Sequence, residues 1–147
     1  MFKRAVLLTA LISSALLSGC ASVPMGSKEQ DAVLKTFPAP PTDSAGLYVY
    51  RNSFVGQALK KTIYVDGTYV GESANKTFFY KTLPPGNHKI STESEFSNND
   101  LSLDVESGKN YFVRQFIKMG VFVGGAGLEL ISEAEGKKDI LKCKLAK

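Results

Sequence analysis

The feature that most restricts this chain is the dipeptide Asp66-Gly67, set between two runs of strand-forming residues, Thr62-Ile63-Tyr64-Val65 and Thr68-Tyr69-Val70-Gly71. A two-residue connection between antiparallel strands follows their right-handed twist best when both linking residues take positive φ, and Asp-Gly adopts that conformation at little steric cost. The β-branched and aromatic side chains on either side favour a pleated backbone. The sequence therefore predicts a β-hairpin. A hairpin is barely stable alone in water, so further strands must cover it.

Those strands are legible on both sides. Leu47-Tyr48-Val49-Tyr50 is a β-forming run closed by Arg51-Asn52, and Thr77-Phe78-Phe79-Tyr80-Lys81 is another. Leu83-Pro84-Pro85-Gly86-Asn87 reads as a turn, His88 to Glu93 resumes extended backbone, and Asn98-Asn99-Asp100 reads as a second turn. Leu101, Leu103 and Val105 then alternate with Ser102, Asp104 and Glu106, the period of a strand with one dry face. After a turn at Glu106 to Asn110, the stretch Tyr111 to Lys118 is apolar enough for a sheet interior. Strands punctuated about every eight to twelve residues, without helical patterning between them, predict a mainly β fold, a single antiparallel β-sandwich over residues 46–147. At the C-terminus, Ser132 and Glu135 fit a capping box, with Ala134, Lys138, Ile140 and Leu141 suiting a short helix, while Leu141, Cys143 and Leu145 alternate like a strand. The expectation is a short C-terminal helix with a strand-like tail.

Ile63-Tyr64-Val65-Asp66-Gly67, with Val70-Gly71 and the later Leu83-Pro84-Pro85-Gly86-Asn87-His88-Lys89-Ile90, resembles the PEGA class of small extracytoplasmic β-sandwich modules. Gln57-Ala58-Leu59-Lys60-Lys61 departs from the class at its Pro-Glu-Gly-Ala start, and Ala74 stands where a proline often follows the hairpin. With the strands Leu47 to Arg51 and Tyr111 to Gln115, the chain is similar to bacterial lipoproteins that carry a PEGA-like or transthyretin-like (prealbumin-like) domain of unknown function. The resemblance implies a fold and an address. It implies no activity, since one fold hosts many functions.

The address is written at the N-terminus. Lys3 and Arg4 precede an apolar stretch from Ala5 to Leu17, which is interrupted by Thr9, Ser13 and Ser14. That is shorter than the roughly 20 apolar residues of a permanent span and has the layout of a cleavable export signal, expected to be helical over residues 1–19. Leu17-Ser18-Gly19-Cys20 resembles the lipobox of bacterial prolipoproteins, which implies cleavage between Gly19 and Cys20 and lipid attached to Cys20. Several acyl chains hold far more firmly than one. The expected partner is thus the membrane, through lipid on Cys20. Ala21 is not the aspartate that retains enteric lipoproteins at the inner membrane, so the expected place is the periplasmic face of the outer membrane. Residues 20–45, with Pro24, Gly26 and Phe37-Pro38-Ala39-Pro40-Pro41, read as a semi-rigid tether, in which Ala32-Val33-Leu34 and Phe37 are apolar enough to dock on the domain.

Chemistry is sparse in what remains. The full chain has 18 basic and 14 acidic residues, and removing Lys3 and Arg4 with the leader leaves 16 against 14. This near balance, without basic runs interleaved with aromatics, argues against nucleic acid. His88 is the one histidine and no spaced ligand cluster accompanies it, so neither a metal site nor a cofactor is expected. Glu93 with Glu95, and Asp104 with Glu106, share strand faces as exposed polar residues commonly do. No Gly-x-Ser-x-Gly elbow is present and no enzyme is expected. If Cys20 is acylated, Cys143 has no partner; it is either a buried small residue beside Leu141 and Leu145 or a thiol activated by Lys142 and Lys144. Gly120 to Leu128 has three readings: an apolar loop capping the sandwich, a contact with membrane or partner, or a close-packed small-residue face. Arg51, Tyr64, Tyr69 and Phe122 are the candidate interaction residues. Tyr48, Tyr50, Tyr64, Tyr69 and Tyr80 offer either a sugar-stacking platform or cross-strand pairs. The function expected from these readings is a non-catalytic structural or interaction module of the cell envelope, with a protein or a glycan such as peptidoglycan as partner.

Overall fold

The computed structural model describes residues 21–94, 98–120 and 124–147. In chain order the elements are α1 (Lys28–Leu34), β1 (Ala45–Arg51), β2 (Lys61–Val65), β3 (Thr68–Ser73), β4 (Thr77–Leu83), β5 (Gly86–Glu93), β6 (Asn98–Val105), β7 (Asn110–Lys118), β8 (Gly125–Ile131), α2 (Glu133–Ile140) and β9 (Lys144–Leu145). Asp66 and Gly67 take φ of 51° and 79°, the two positive values a tight hairpin requires. They join β2 to β3 with Val65 opposite Thr68 and Tyr64 opposite Tyr69.

The strands form two sheets, one ordered β8-β7-β1-β4-β9 and one ordered β3-β2-β5-β6. The fold is therefore mainly β. The larger sheet is mixed, however, and corrects the expectation of a purely antiparallel sandwich: β1 runs parallel to β7, and β4 parallel to β9. The physical reason is visible in β1, which lies mid-sheet and is buried along its whole length. Parallel pairing is favoured where both faces are covered, and such strands read as unbroken apolar runs. Leu47-Tyr48-Val49-Tyr50 is that run.

Two cores use its two faces. Leu47 and Val49 join Ile63, Val65, Phe79, Ile90 and Val113 between the sheets. Tyr48 and Tyr50 point the other way, into a cluster with Phe78, Phe112, Ile140, Cys143 and Leu145 that Leu34 and Phe37 help to cover. A buried polar chain also crosses the sandwich: Ser73 Oγ donates to Gln115 Oε1, Gln115 Nε2 to Thr92 Oγ1 at 2.7 Å, and Thr92 Oγ1 to Thr62 O at 2.9 Å. Buried polar groups need such partners, so this chain favours one alignment of the sheets over others.

The segment read as a tether is folded onto the domain. The Ala21 amide donates to Gln57 O at 3.1 Å, Gly26 N to Leu145 O at 2.8 Å, and Lys147 N to Pro24 O at 2.9 Å. Met25 bridges Ala146, and Asp31 Oδ1 accepts from Leu145 N at 2.7 Å. Ser27 caps α1 through Gln30 N. Leu34 and Phe37 dock while Val33 stays exposed. Pro38, Pro40 and Pro41 link α1 to β1, with Pro38 O accepting from Asn110 Nδ2 at 3.0 Å. Composition suggested an extended spacer, but partners distant in sequence, Gln57 and the C-terminal residues 145–147, fix the segment.

Two further corrections concern strands hidden by their composition. Asn98-Asn99-Asp100 opens β6, with Asn99 opposite Thr92, because cross-strand pairing overrides the turn preference of asparagine. The Gly120 to Leu128 segment contains the start of β8, whose glycines have low strand propensity but let Phe116 lie across Gly127, where an added Cβ would meet the ring at 2.5 Å. At the C-terminus, Ser132 caps α2 by accepting from Glu135 N, and β9 follows. Gly136 weakens helix propensity but presses α2 onto β7, where a Cβ would fall 2.4 Å from Phe112 Cγ. Gly136→Ala is therefore predicted to destabilise the protein by about 1–3 kcal/mol, overpacking outweighing the roughly 1 kcal/mol gain in helix propensity. Urea denaturation measures the sign; a more stable variant would contradict this packing.

Candidate functional site

His88 lies at the hairpin end of the sandwich. Its ring is buried, with Nδ1 2.6 Å from Asp66 Oδ2 and Nε2 2.7 Å from Pro84 O. A backbone carbonyl and a carboxylate only accept, so the arrangement favours the doubly protonated ring, with both nitrogens donating. The Asp66 hydrogen bond raises the His88 pKa above its ordinary value, and the His88 hydrogen bond lowers that of Asp66. Asp66 Oδ1 also accepts from Lys89 N at 2.9 Å, pinning the β2–β3 turn to β5. With both nitrogens engaged in holding two turns together, neither is free to serve as a base.

Arg51 is an interior residue, which corrects its reading as an interaction residue. It is 0% exposed, and Nη2 donates to Gly56 O at 3.3 Å and to Leu59 O at 2.7 Å, shaping the loop from β1 to β2. Burial pushes its pKa down to about 10, which still leaves it charged at neutral pH. Cys143 is buried against it, with Sγ donating to Asp139 O at 3.4 Å and Arg51 O at 3.8 Å. Burial lifts this thiol to about 12, so of its two readings the inert one holds.

The tyrosines do not share one face. Tyr48 and Tyr50 lie in the core beneath the helices, their hydroxyls donating to Leu34 O and Asp139 Oδ2, each at 3.0 Å. Tyr64 and Tyr69 form an edge-to-face pair on the other sheet, with centroids 6.1 Å apart and Tyr69 59% exposed. Tyr80 packs on Tyr48 with centroids 4.8 Å apart, so the five tyrosines make no single platform, and Tyr64 with Tyr69 is the pair on the opposite sheet. Gly19, Cys20, Phe122 and Glu95 lie outside the described residues. Glu93 accepts from Thr62 N, Asp104 from Asn87 Nδ2, and Glu106 pairs with Lys109, so these carboxylates act separately. Among the described residues, no group of three or more His, Cys, Asp or Glu side chains is placed to hold a metal ion. Ser73, Thr77, Ser91, Thr92 and Gln115 are buried polar residues to which the sequence assigned no role. A glutamine inside the apolar run from Tyr111 to Lys118 was the available signal.

Two surface features remain. An apolar groove of about 520 Å³ between α1 and the β4–β9 edge is lined by Val33, Leu34, Phe79, Tyr80 and Leu145. At the opposite end of the strands from the Asp66-Gly67 turn, a shallow cleft of about 420 Å³ is lined by Ala21 and Ser22 together with Lys76, Lys142 and Lys144. This is where the described chain begins. The β1–β2 loop is beside it, because Gln57 O holds the Ala21 amide and Gln57 N donates to Phe54 O.

The geometry defines a class before it defines a family: a two-sheet, mainly β domain whose chain ends form a cap over one sheet. The chain belongs to the family described as a protein of unknown function, DUF2846, whose model matches residues 41–126. That span runs from β1 into β8 and leaves the terminal cap outside. An uncharacterized protein of Haemophilus influenzae (strain ATCC 51907 / DSM 11121 / KW20 / Rd) is 60% identical over 131 residues, covering 89% of this chain and 78% of the relative. No solved structure matches.

The His88–Asp66 contact predicts a pH signature. The folded pKa of His88 is raised, so its contribution is complete below the unfolded value of about 6.5 and is lost as pH rises through the folded value. The folded pKa of Asp66 is depressed, so its contribution is present above about 3.9 and is lost as pH falls through the folded value. The half-exposed carboxylate limits the contribution to about 1 kcal/mol. Calorimetry should show the melting temperature falling above about pH 6.5 in the wild type and a weaker fall in His88→Gln; identical profiles would refute the assignment.

Proposed function

We propose that this chain is a lipid-anchored cell-envelope protein whose folded domain is a non-catalytic structural or interaction module. The observation that carries the reading is Leu17-Ser18-Gly19-Cys20 directly behind an interrupted apolar stretch. In this reading Cys20 is cleaved from Gly19 and acylated, and Ala21 directs the protein to the periplasmic face of the outer membrane. The hydrogen bond from Ala21 to Gln57 supports a short leash, since it fixes to the domain the residue that directly follows Cys20. We read the sandwich as PEGA-like, a reading supported by the Asp66-Gly67 hairpin and the Leu83 to Ile90 turn with its bonded His88.

Fractionation of cells expressing wild type and Cys20→Ala tests the anchor. The wild type is expected in the membrane fraction with acyl mass on its N-terminal peptide, and the variant outside it. Equal distribution and an unmodified Cys20 peptide would overturn the reading.

A second reading, recognition of envelope glycan, is favoured by the exposed edge of the Tyr64–Tyr69 pair, because aromatic faces next to solvent suit sugar rings. Binding to purified peptidoglycan should then drop about tenfold or more in the Tyr64→Ala, Tyr69→Ala double variant, the loss expected when anchoring aromatics are truncated. Unchanged binding would remove the glycan from consideration.

A further inference from the structure

The end of the sandwich where the described chain begins is unlike the other. The register places the end of β1 beside the start of β4 (Arg51 opposite Thr77), the start of β4 beside β9 (Thr77 opposite Lys144), and the end of β7 beside the start of β8 (Lys118 opposite Gly125). The loops after β1 and β7 therefore emerge on the same side as Ala21. They also touch, since the side chain of Ile117 lies against Gly56, and that of Leu59 against Gly124.

These loops carry the two most exposed large apolar side chains among the described residues, Met119 at 86% and Phe54 at 80%; Val55, beside Phe54, is half exposed. The β1–β2 loop is not a loose excursion. Arg51 and Asn75 fix the β1–β2 loop, the latter accepting from Ser53 N at 2.9 Å, so Phe54 and Val55 are held outward by a buried framework. Around them stand Lys60, Lys76, Lys118, Lys142 and Lys144, all exposed. Of these, Lys142 has a carboxylate partner, Asp139 at 3.7 Å. Glu72 and Glu93 stand at the same end, Glu72 opposite Thr62 across the hairpin and Glu93 accepting from Thr62 N. The far end instead carries Asp43, Asp66, Asp104 and Glu106 alongside Lys89 and Lys109.

From this arrangement we infer that the Ala21 end is a membrane-contact face, with Phe54, Val55 and Met119 entering the lipid interface and the lysines facing anionic headgroups. The inference rests on the anchorage proposed above. It commits to a bilayer because of where the chain leads: Ala21 is clamped beside Phe54, so acyl chains on Cys20 bring this end of the domain to the lipid surface. Apolar side chains ringed by cations suit that boundary, where apolar groups leave water and lysines meet lipid phosphate. A contact too weak to bind from solution is populated here, because the anchor raises the local concentration of bilayer to about the millimolar range or above. The lipid then sets the orientation of the whole sandwich, with the Tyr64–Tyr69 hairpin pointing away from the membrane.

The chain contains no tryptophan, so Phe54→Trp introduces a single indole reporter. The acylated full-length mature protein is reconstituted in vesicles of phosphatidylethanolamine and phosphatidylglycerol, with and without bromines on the acyl chains. Met119→Trp repeats the test from the other loop, and Tyr69→Trp reports the opposite end. Trp at 54 and 119 is expected to emit at shorter wavelength and to lose about half its intensity to bromines, as befits side chains about 5–10 Å into the interface, while Trp at 69 stays in water. Mass spectrometry of the N-terminal peptide separates the two layers of the argument. If Cys20 is acylated and the protein floats with the vesicles, but Trp at 54 and 119 stays aqueous, the contact face is refuted and the anchor stands. Quenching at 69 equal to that at 54 also refutes the face. An unacylated Cys20 refutes both.

Discussion

Burial of Tyr48 and Tyr50 on the outer face of β1 is the interaction on which the rest of the structure depends. Leu47 and Val49 need only the opposite sheet, but two tyrosines on the other side demand a second cover and acceptors for their hydroxyls. Burying an aromatic side chain stabilises by about 1.5–3 kcal/mol, and a buried hydroxyl without a partner forfeits a similar amount. The cover comes from both chain ends. Leu34 O and Asp139 accept the two hydroxyls, and Phe37, Ile140, Cys143 and Leu145 close over the rings. Tyr48 stacks on Phe112 with centroids 5.1 Å apart. Phe112 in turn fits only because Gly136 leaves it room.

This arrangement makes the terminal segments part of the core. Residues 21–45 belong to the fold rather than to a spacer, because β9, Lys147 and Gln57 supply backbone partners for Ala21, Pro24 and Gly26. On the inner side of β1, the Ser73–Gln115–Thr92 chain ties the two sheets through polar contacts, while Arg51 holds the loop above them. A fixed β1–β2 loop and a clamped segment at Ala21 are two outcomes of one packing problem.

What the sequence made legible follows the range of the interactions involved. The Asp66-Gly67 hairpin, the alternation in β6 and the Ser132 cap are local, so neighbouring residues carry their whole signal. The parallel pairing of β1 with β7 is not local, though the unbroken apolar run of β1 was its trace. β8 was hidden because glycines chosen for close packing have poor strand propensity. The site followed the same rule. Arg51 was open to an interaction role because its carbonyl acceptors cannot be seen in a side-chain pattern. Tyr48 and Tyr50 looked interchangeable with Tyr64 and Tyr69 until the two faces of β1 were assigned.

The account turns on the chain being locked from its first described residues. Amide hydrogen exchange on the mature protein tests this directly at Ala21, Gly26 and Lys147, whose N–H groups bond to Gln57, Leu145 and Pro24. The packing described here predicts that Gly26 and Lys147 are protected together with the Tyr48 layer and that Ala21 exchanges more slowly than an open chain. Exchange at open-chain rates at all three, with β1 still protected, would show a free tether and contradict the account.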